Sequence, residues 1–310
     1  MSIVRLQNIR KVYENKVAVE GLSLVIEPGT MFGLLGPNGS GKTSTIRMMI
    51  GMTLPDAGRV ELFDRPFDRL ALSRIGYLPE ERGLYKKMKV IDQLIFLGQL
   101  HGLNEATARE RALVWCERMQ ISEAIEKRTE ELSKGMQQKI QFIAALLHEP
   151  DLIIMDEPFS GLDPVNATLL QDTLLDLRRE GKAILFSTHR MDQVEKMCDA
   201  IAIIYRGKLV LEGTMREVKG RYPHNRVQMV FSGSDHFLRH SSVLEAKNYA
   251  GIAEITLRSP FAAQELLGAA VASGAEITRF EVMEPTLEEI FIETVKGTDA
   301  FAEAGGVVHA

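Results

Sequence analysis

Gly36-Pro37-Asn38-Gly39-Ser40-Gly41-Lys42-Thr43 has the spacing G-x-x-x-x-G-K-[ST], and the apolar run Thr30-Met31-Phe32-Gly33-Leu34-Leu35 leads directly into it. A strand, this spacing and then a helix form the setting in which such a loop binds phosphate. Glycines let backbone N–H groups close around an anion, and the helix N-terminus adds positive potential. Lys42 is placed to neutralise β- and γ-phosphate oxygens, the Thr43 hydroxyl to ligate Mg²⁺, and Ser44 to touch the α-phosphate.

Two further apolar runs end in polar residues. Leu152-Ile153-Ile154-Met155 stops at Asp156-Glu157. A carboxylate at a strand's C-terminal end can hold the Mg²⁺ shell. Its neighbour Glu157 points elsewhere and is suited to orient or deprotonate an attacking water. Beside a phosphate loop this outweighs reading the pair as helix-start carboxylates. Ile184-Leu185-Phe186-Ser187-Thr188 stops at His189, at the end of the sheet where α/β folds place their sites. His189 is either structural or a hydrogen-bond donor to the γ-phosphate and the attacking water. Tyr13, between a strand and the phosphate loop, is either a turn residue or a ring for adenine to stack on.

The elements that must position these residues follow from periodicity. Residues 3–9 and Leu22–Ile26 alternate as strands, and Glu27-Pro28-Gly29 is a turn. A helix is expected over Thr45–Gly51. From about 86 to 148 the pattern is helical, with Ile91, Leu94, Ile95 and Leu97 on one face and Leu113, Cys116 and Met119 on another. Asn104 is a fair helix start. Strands at Leu152–Met155, Ala183–Ser187 and Ala200–Tyr205 alternate with helices at Thr168–Glu180 and Met191–Met197. The fold class is α/β: a mostly parallel sheet core with antiparallel strands and an inserted helical subdomain. The first domain is expected to span 1–220.

Arg221-Tyr222-Pro223-His224-Asn225 reads as a linker into a small α+β domain over 221–298. Val227, Met229 and Phe231 alternate, as do Ala253, Ile255 and Leu257. Phe261–Ala272 is a helix and Ile277–Met283 a strand. Thr286 and Glu289 stand at capping-box spacing before a last helix with Leu287, Ile290, Phe291 and Val295 as its apolar stripe. Residues 299–310 are expected to fray.

Bulk properties bound the function. The chain of 310 residues is 45% hydrophobic and 25% charged, as soluble globular proteins are. No apolar run reaches the roughly 18 residues that span a bilayer, and Arg5 and Arg10 interrupt any signal segment. A cytoplasmic protein is expected. Residues 221–310 hold 7 Lys and Arg against 12 Asp and Glu, so the whole formal charge of −5 sits there and residues 1–220 balance. That acidic end disfavours a nucleic-acid partner. Cys116 and Cys198 match no metal spacing and no disulfide framework.

Taken with Leu132-Ser133-Lys134-Gly135-Met136-Gln137-Gln138 and Ser160-Gly161-Leu162-Asp163, these motifs resemble the ATP-binding subunit of ATP-binding-cassette (ABC) transporters over residues 3 to about 218. The first segment matches that family's signature loop, which separates it from other phosphate-loop ATPases; the second matches its D-loop. The resemblance implies ATP and Mg²⁺ as cofactors and an integral membrane permease as partner. It implies two modules paired head to tail, a homodimer or a pair with a related chain. Ser133 and Gly135 of one module then meet the other's ATP, with the dipole of the helix after Gly135 aimed at the γ-phosphate. It places the chain on the inner face of the cell membrane.

Two departures narrow the resemblance. The family has glutamine at the loop after a segment such as Gly76-Tyr77-Leu78-Pro79; this chain has Glu80, which can ligate Mg²⁺ but adds negative charge. Its signature loop reads Gly-Gly-Gln after the serine; here Lys134-Gly135-Met136 follows Ser133, and Lys134 is either a cation near the neighbour's ATP or solvated. With Leu78-Pro79-Glu80-Glu81-Arg82-Gly83-Leu84-Tyr85 and the extra C-terminal domain, the pattern is similar to a bacterial branch of sodium and drug exporters. Tyr85-Lys86-Lys87-Met88 falls where the family docks its permease, or is a solvated turn. Two rivals remain: a soluble ABC ATPase acting on ribosomes or DNA, and a regulatory module that binds ATP without hydrolysis. The first usually carries two cassettes or long coiled coils, absent from this sequence; Glu157 and His189 speak against the second.

Overall fold

The computed structural model describes residues 2–81, 83–222 and 225–303. It contains two compact units, one through Met215 and one from Arg216 onward. In chain order the first holds β1 (Val4–Tyr13), β2 (Lys16–Ile26), β3 (Met31–Leu35), α1 (Lys42–Met49), β4 (Ala57–Leu62), β5 (Arg65–Pro66), β6 (Ile75–Leu78), α2 (Val90–Leu100), α3 (Glu105–Arg118), α4 (Lys134–Leu146), β7 (Leu152–Asp156), α5 (Pro164–Arg179), β8 (Ala183–Thr188), α6 (Met191–Met197), β9 (Ala200–Tyr205) and β10 (Lys208–Thr214).

The central sheet has the order β10-β9-β3-β8-β7-β6. All its neighbours are parallel except the β10–β9 hairpin. β3, β7 and β8 are buried along their whole length, which is why they appear as unbroken apolar runs. A second, antiparallel sheet has the order β2-β1-β4-β5. Leu6, Leu24 and Ile26 from that sheet share one buried cluster with Phe32 and Leu185 of the central sheet and with Ile46 and Met49 of α1. Burial on this scale, at about 25 cal/mol per Å² of apolar surface, fixes the phosphate loop between the two sheets.

The helices start where caps dictate. α1 begins at Lys42, before the expected Thr45, because the loop glycine Gly41 delivers the chain straight into helix. α5 begins at Pro164, before the expected Thr168: Asp163 caps it, accepting from the Asn166 N–H at 3.0 Å, and proline suits the first helical position. Asn104 caps α3 as expected. On α3 the buried face is Ala108, Ala112 and Cys116, continued by Met119. Leu113 is 43% exposed and does not belong to it. The reason is helical period: Ala108, Ala112, Cys116 and Met119 follow one row of the helix, and Leu113 falls one residue off it, to the side of the buried face. Cys116 and Cys198 are separate buried thiols, both pushed upward by burial, Cys116 to about 11.

α7 (Met215–Gly220) starts on the last residue of the first unit, and the second unit continues with β11 (Arg226–Gly233), β12 (Val243–Tyr249), β13 (Ile252–Leu257), α8 (Ala263–Ala272), β14 (Ala275–Met283) and α9 (Leu287–Glu303). Its sheet is antiparallel in the order β12-β13-β11-β14. Val227, Met229 and Phe231 pack with Ala253, Ile255, Leu257 and with Leu266 and Ala270 of α8. Thr286 and Glu289 form the reciprocal cap of α9: each backbone N–H donates to the other's side chain, at 3.1 and 3.3 Å. Leu287 and Ile290 are buried. Of the expected linker, Pro223 and His224 lie outside the described residues, while the Tyr222 hydroxyl bonds Thr294 Oγ1 at 2.9 Å. α9 continues to Glu303, past the expected fraying point, and 304–310 lie outside the described residues. No helix among the described residues is long and apolar enough to cross a membrane.

Candidate active site

Parallel pairing delivers the site to one end of the central sheet. Leu35 pairs with Thr188, Asp156 with Ser187, and Leu78 with Met155. The segments after β3, β6, β7 and β8 therefore emerge side by side, carrying the phosphate loop, Glu80, Glu157 and His189.

The loop's glycines are required by their surroundings. A Cβ on Gly36 (φ 149°) would lie 2.1 Å from the Ile204 carbonyl oxygen, and one on Gly41 (φ 116°) 2.4 Å from the Ala18 carbonyl oxygen. The Lys42 ammonium donates to the Gly36 and Pro37 carbonyls at 2.7 and 3.2 Å. Burial lowers its pKa; the negative charges of Glu157, Asp156 and Glu80 oppose that and favour the cation. Ser40 Oγ is buried with no partner among the described residues.

The two carboxylates are held differently. Asp156 accepts from Thr43 Oγ1 at 2.9 Å and from the Ser187 hydroxyl. A hydroxyl and a carboxylate side by side are hard oxygen donors, and Mg²⁺ is usually held by one or two such groups plus phosphate oxygens. The pair fits that ion. Glu157 has φ 50°, in the left-handed region a non-glycine residue seldom adopts. That turn aims its carboxylate away from Asp156. Glu157 Oε2 accepts from Thr188 Oγ1 at 2.9 Å; Oε1 accepts from the His189 backbone N–H at 3.1 Å and sits 2.7 Å from its Nδ1. A carboxylate oxygen only accepts when ionised, so Nδ1 carries the proton. His189 here orients Glu157.

Ser187 and Thr188 thus grip both carboxylates, a role the sequence reading did not assign to them; two hydroxyls ending an apolar strand beside a histidine were the available signal. Tyr77 was also missed. It lies on β6 and its hydroxyl is raised to about 12, by burial first and then by the Asp156 charge. Glu80 is exposed, and its charge reaches both Lys42 and Tyr77. Tyr13 closes the β1–β2 hairpin opposite Lys16 and is 39% exposed, in the same hairpin whose Ala18 abuts Gly41.

The signature loop stands apart from its own phosphate loop. Ser133 caps α4, accepting from the Met136 N–H at 3.2 Å, and Gln137 Nε2 donates to the Thr129 and Leu132 carbonyls, both at 3.1 Å. A Cβ on Gly135 would make only ordinary contacts, 3.7 Å from Leu162 and 3.8 Å from Asn166. The structure thus brings the signature loop against the D-loop (Ser160–Asp163), and among the described residues no hydrogen bond joins 132–137 to 36–44. Lys134 is exposed. One buried link ties α4 to the catalytic segment: Gln138 Nε2 donates to the Pro158 carbonyl at 3.2 Å.

Residues 19–160 match the model of the ABC transporter family, and 213–295 match the C-terminal domain of DrrA1-3-like ATP-binding proteins. An uncharacterized ABC transporter ATP-binding protein, YhaQ of Bacillus subtilis (strain 168), is 42% identical over 294 residues, 94% of this chain and 98% of the relative. Nod factor export ATP-binding protein I of Cupriavidus metallidurans is 37% identical over 220 residues, 70% of this chain and 73% of that one. A solved ATP-binding subunit of an ABC transporter superposes with a TM-score of 0.67 at 28% identity, covering 71% of this chain and 93% of that one.

Proposed function

The chain belongs to the ATP-binding subunits of ABC transporters, and on that premise we propose that it works as one half of a head-to-tail ATPase pair driving a membrane exporter from the cytosolic face. Nucleotide binding and ATP hydrolysis that powers transport are the family's activity. Export, the pairing and the membrane location are the proposal. A relative named for Nod factor export supports the direction.

In this reading Lys42 and the loop N–H groups hold the β- and γ-phosphates, Ser44 touches the α-phosphate and Tyr13 stacks on adenine. Thr43 and Asp156, with Glu80 beside them, would hold Mg²⁺, which when bound screens the phosphate charge. Glu157 orients the water and takes its proton; Thr188 and His189 hold that carboxylate in place. Ser133 and Gly135, exposed or open on their own chain, serve the neighbouring chain's ATP. A groove lined by Tyr77, Pro79, Leu84, Leu97, His101 and Gln141 adjoins the Glu80 loop. It suits an apolar segment of the permease, and Gln141 Oε1, without a partner among the described residues, would accept one donor from it.

The observation that carries the reading is the separation of the two carboxylates, Asp156 on Thr43 and Glu157 on Thr188 and His189. Glu157→Gln keeps the shape and removes the base, so turnover falls by about 10²-fold or more while ATP still binds and the pair persists. Single-turnover ATPase measurement with size analysis checks this; wild-type turnover removes Glu157 from the role.

A further inference from the structure

β12 ends the accessory sheet, and among the described residues nothing pairs its outer edge. An open edge is a template for another strand. The pattern along this one is definite. β12 and β13 are joined by the two-residue turn Ala250-Gly251, both at positive φ, 52° and 89°. In such a tight hairpin the flanking residues, Tyr249 and Ile252, exchange backbone hydrogen bonds. Bonded pairs then alternate. Tyr249, Lys247 and Glu245 turn their N–H and C=O toward β13, and Asn248 and Ala246 turn theirs outward; the alternation ends at the register shift between Val243 and Glu245. The same edge leaves Leu244 58% and Tyr249 61% exposed.

This edge is complementary to itself in one register. With Ala246 facing the partner's Ala246 across a two-fold axis, the outward N–H of each meets the outward C=O of the other. Glu245 then faces the partner's Lys247, and the reverse contact follows by symmetry. Moving the axis to Glu245 or to Lys247 sets like charges opposite each other, which destabilises an antiparallel pair. Half-residue steps oppose outward groups to inward ones. Within the chain Glu245 and Lys247 make only a loose, exposed contact of 3.6 Å.

We propose that two copies of the chain join through β12, edge to edge and antiparallel about Ala246, into one continuous sheet. The contact needs neither nucleotide nor permease, so it is separate from the ATP-dependent pairing of the cassettes. Pairing also covers the exposed Leu244 and Tyr249.

Sedimentation equilibrium of the full chain without nucleotide tests this. The expected result is a dimer that Glu245→Lys and Lys247→Glu each reduce to monomer. Both side chains are exposed, so the fold is kept. An equimolar mixture of the two variants re-forms a dimer, because each then meets its opposite charge, and the double variant E245K/K247E does so alone. Ala246→Pro, which removes an outward N–H, also gives monomer. A monomeric wild type, a dimer that appears only with ATP, a dimer indifferent to both charge variants, or a mixture that stays monomeric overturns the proposal.

Discussion

Lys42 illustrates how one side chain is tuned by opposing forces. Burial pulls its pKa down while three carboxylates pull it up, and Glu80 is the one the family pattern does not supply. Removing that charge alters the field at the phosphate end of the site. Glu80→Gln is therefore expected to leave ATP binding in place and to move the Mg²⁺ dependence of turnover by several-fold. A Mg²⁺ titration of ATPase activity on both proteins checks it; superimposable curves remove Glu80 from the site. A second residue links structure to pH. His148 Nε2 bonds the Ile75 carbonyl at 3.0 Å, and its ring stacks on His101 at 3.9 Å. Burial, then the neighbouring His101, holds its pKa down at about 4. The unfolded chain, near 6.5, takes up the proton first. Stability from this group is thus full above about pH 6.5 and lost as pH falls toward 4, on the order of 1–2 kcal/mol after discounting for solvent at the partly exposed ring. His148→Gln should flatten the fall in Tm over that window; an unchanged slope refutes it.

The phosphate loop shows which elements a sequence makes legible. Gly36 and Gly41 are dictated by carbonyls a Cβ would strike, whereas Gly39 (φ 76°) looks into open space. Gly36→Ala is expected to abolish nucleotide binding, and Gly39→Ala to cost about 1 kcal/mol of backbone strain with binding retained; isothermal titration with ATP separates the two. The buried parallel strands β3, β7, β8 and β9 announced themselves as apolar runs, because both their faces are covered. The edge and half-exposed strands β4, β5, β6, β10 and β12 did not, since neither continuous nor clean alternating patterns survive there. Lys42, Asp156, Glu157 and His189 were readable because a loop spacing or a strand end marked each. Ser187 and Thr188 were not, because their work is second-hand: they act on other side chains through pairings that only parallel register creates; nor was Tyr77, which comes near Asp156 only because β6 pairs with β7. Leu113 misled for a related reason. Its spacing to Cys116 fits a helical stripe, but the buried row runs through Ala108 and Ala112 instead, which leaves Leu113 at the edge of that face.

At the scale of the whole molecule, the signature loop and the catalytic carboxylate serve different nucleotides in the proposed pair, yet they belong to one chain. Gln138 is the buried strap between them: it sits on the helix that starts at the signature loop and bonds the backbone one residue beyond Glu157. Gln138→Ala removes that strap without touching ATP. The expected outcome is ATPase with the Hill coefficient for ATP lowered toward 1 and binding affinity changed by less than about 3-fold; retained cooperativity refutes it. In the proposed pair the strap would act as the shared crank of two pistons: a shift of α4 set by the neighbour's nucleotide would pass through Gln138 to the segment that carries Glu157.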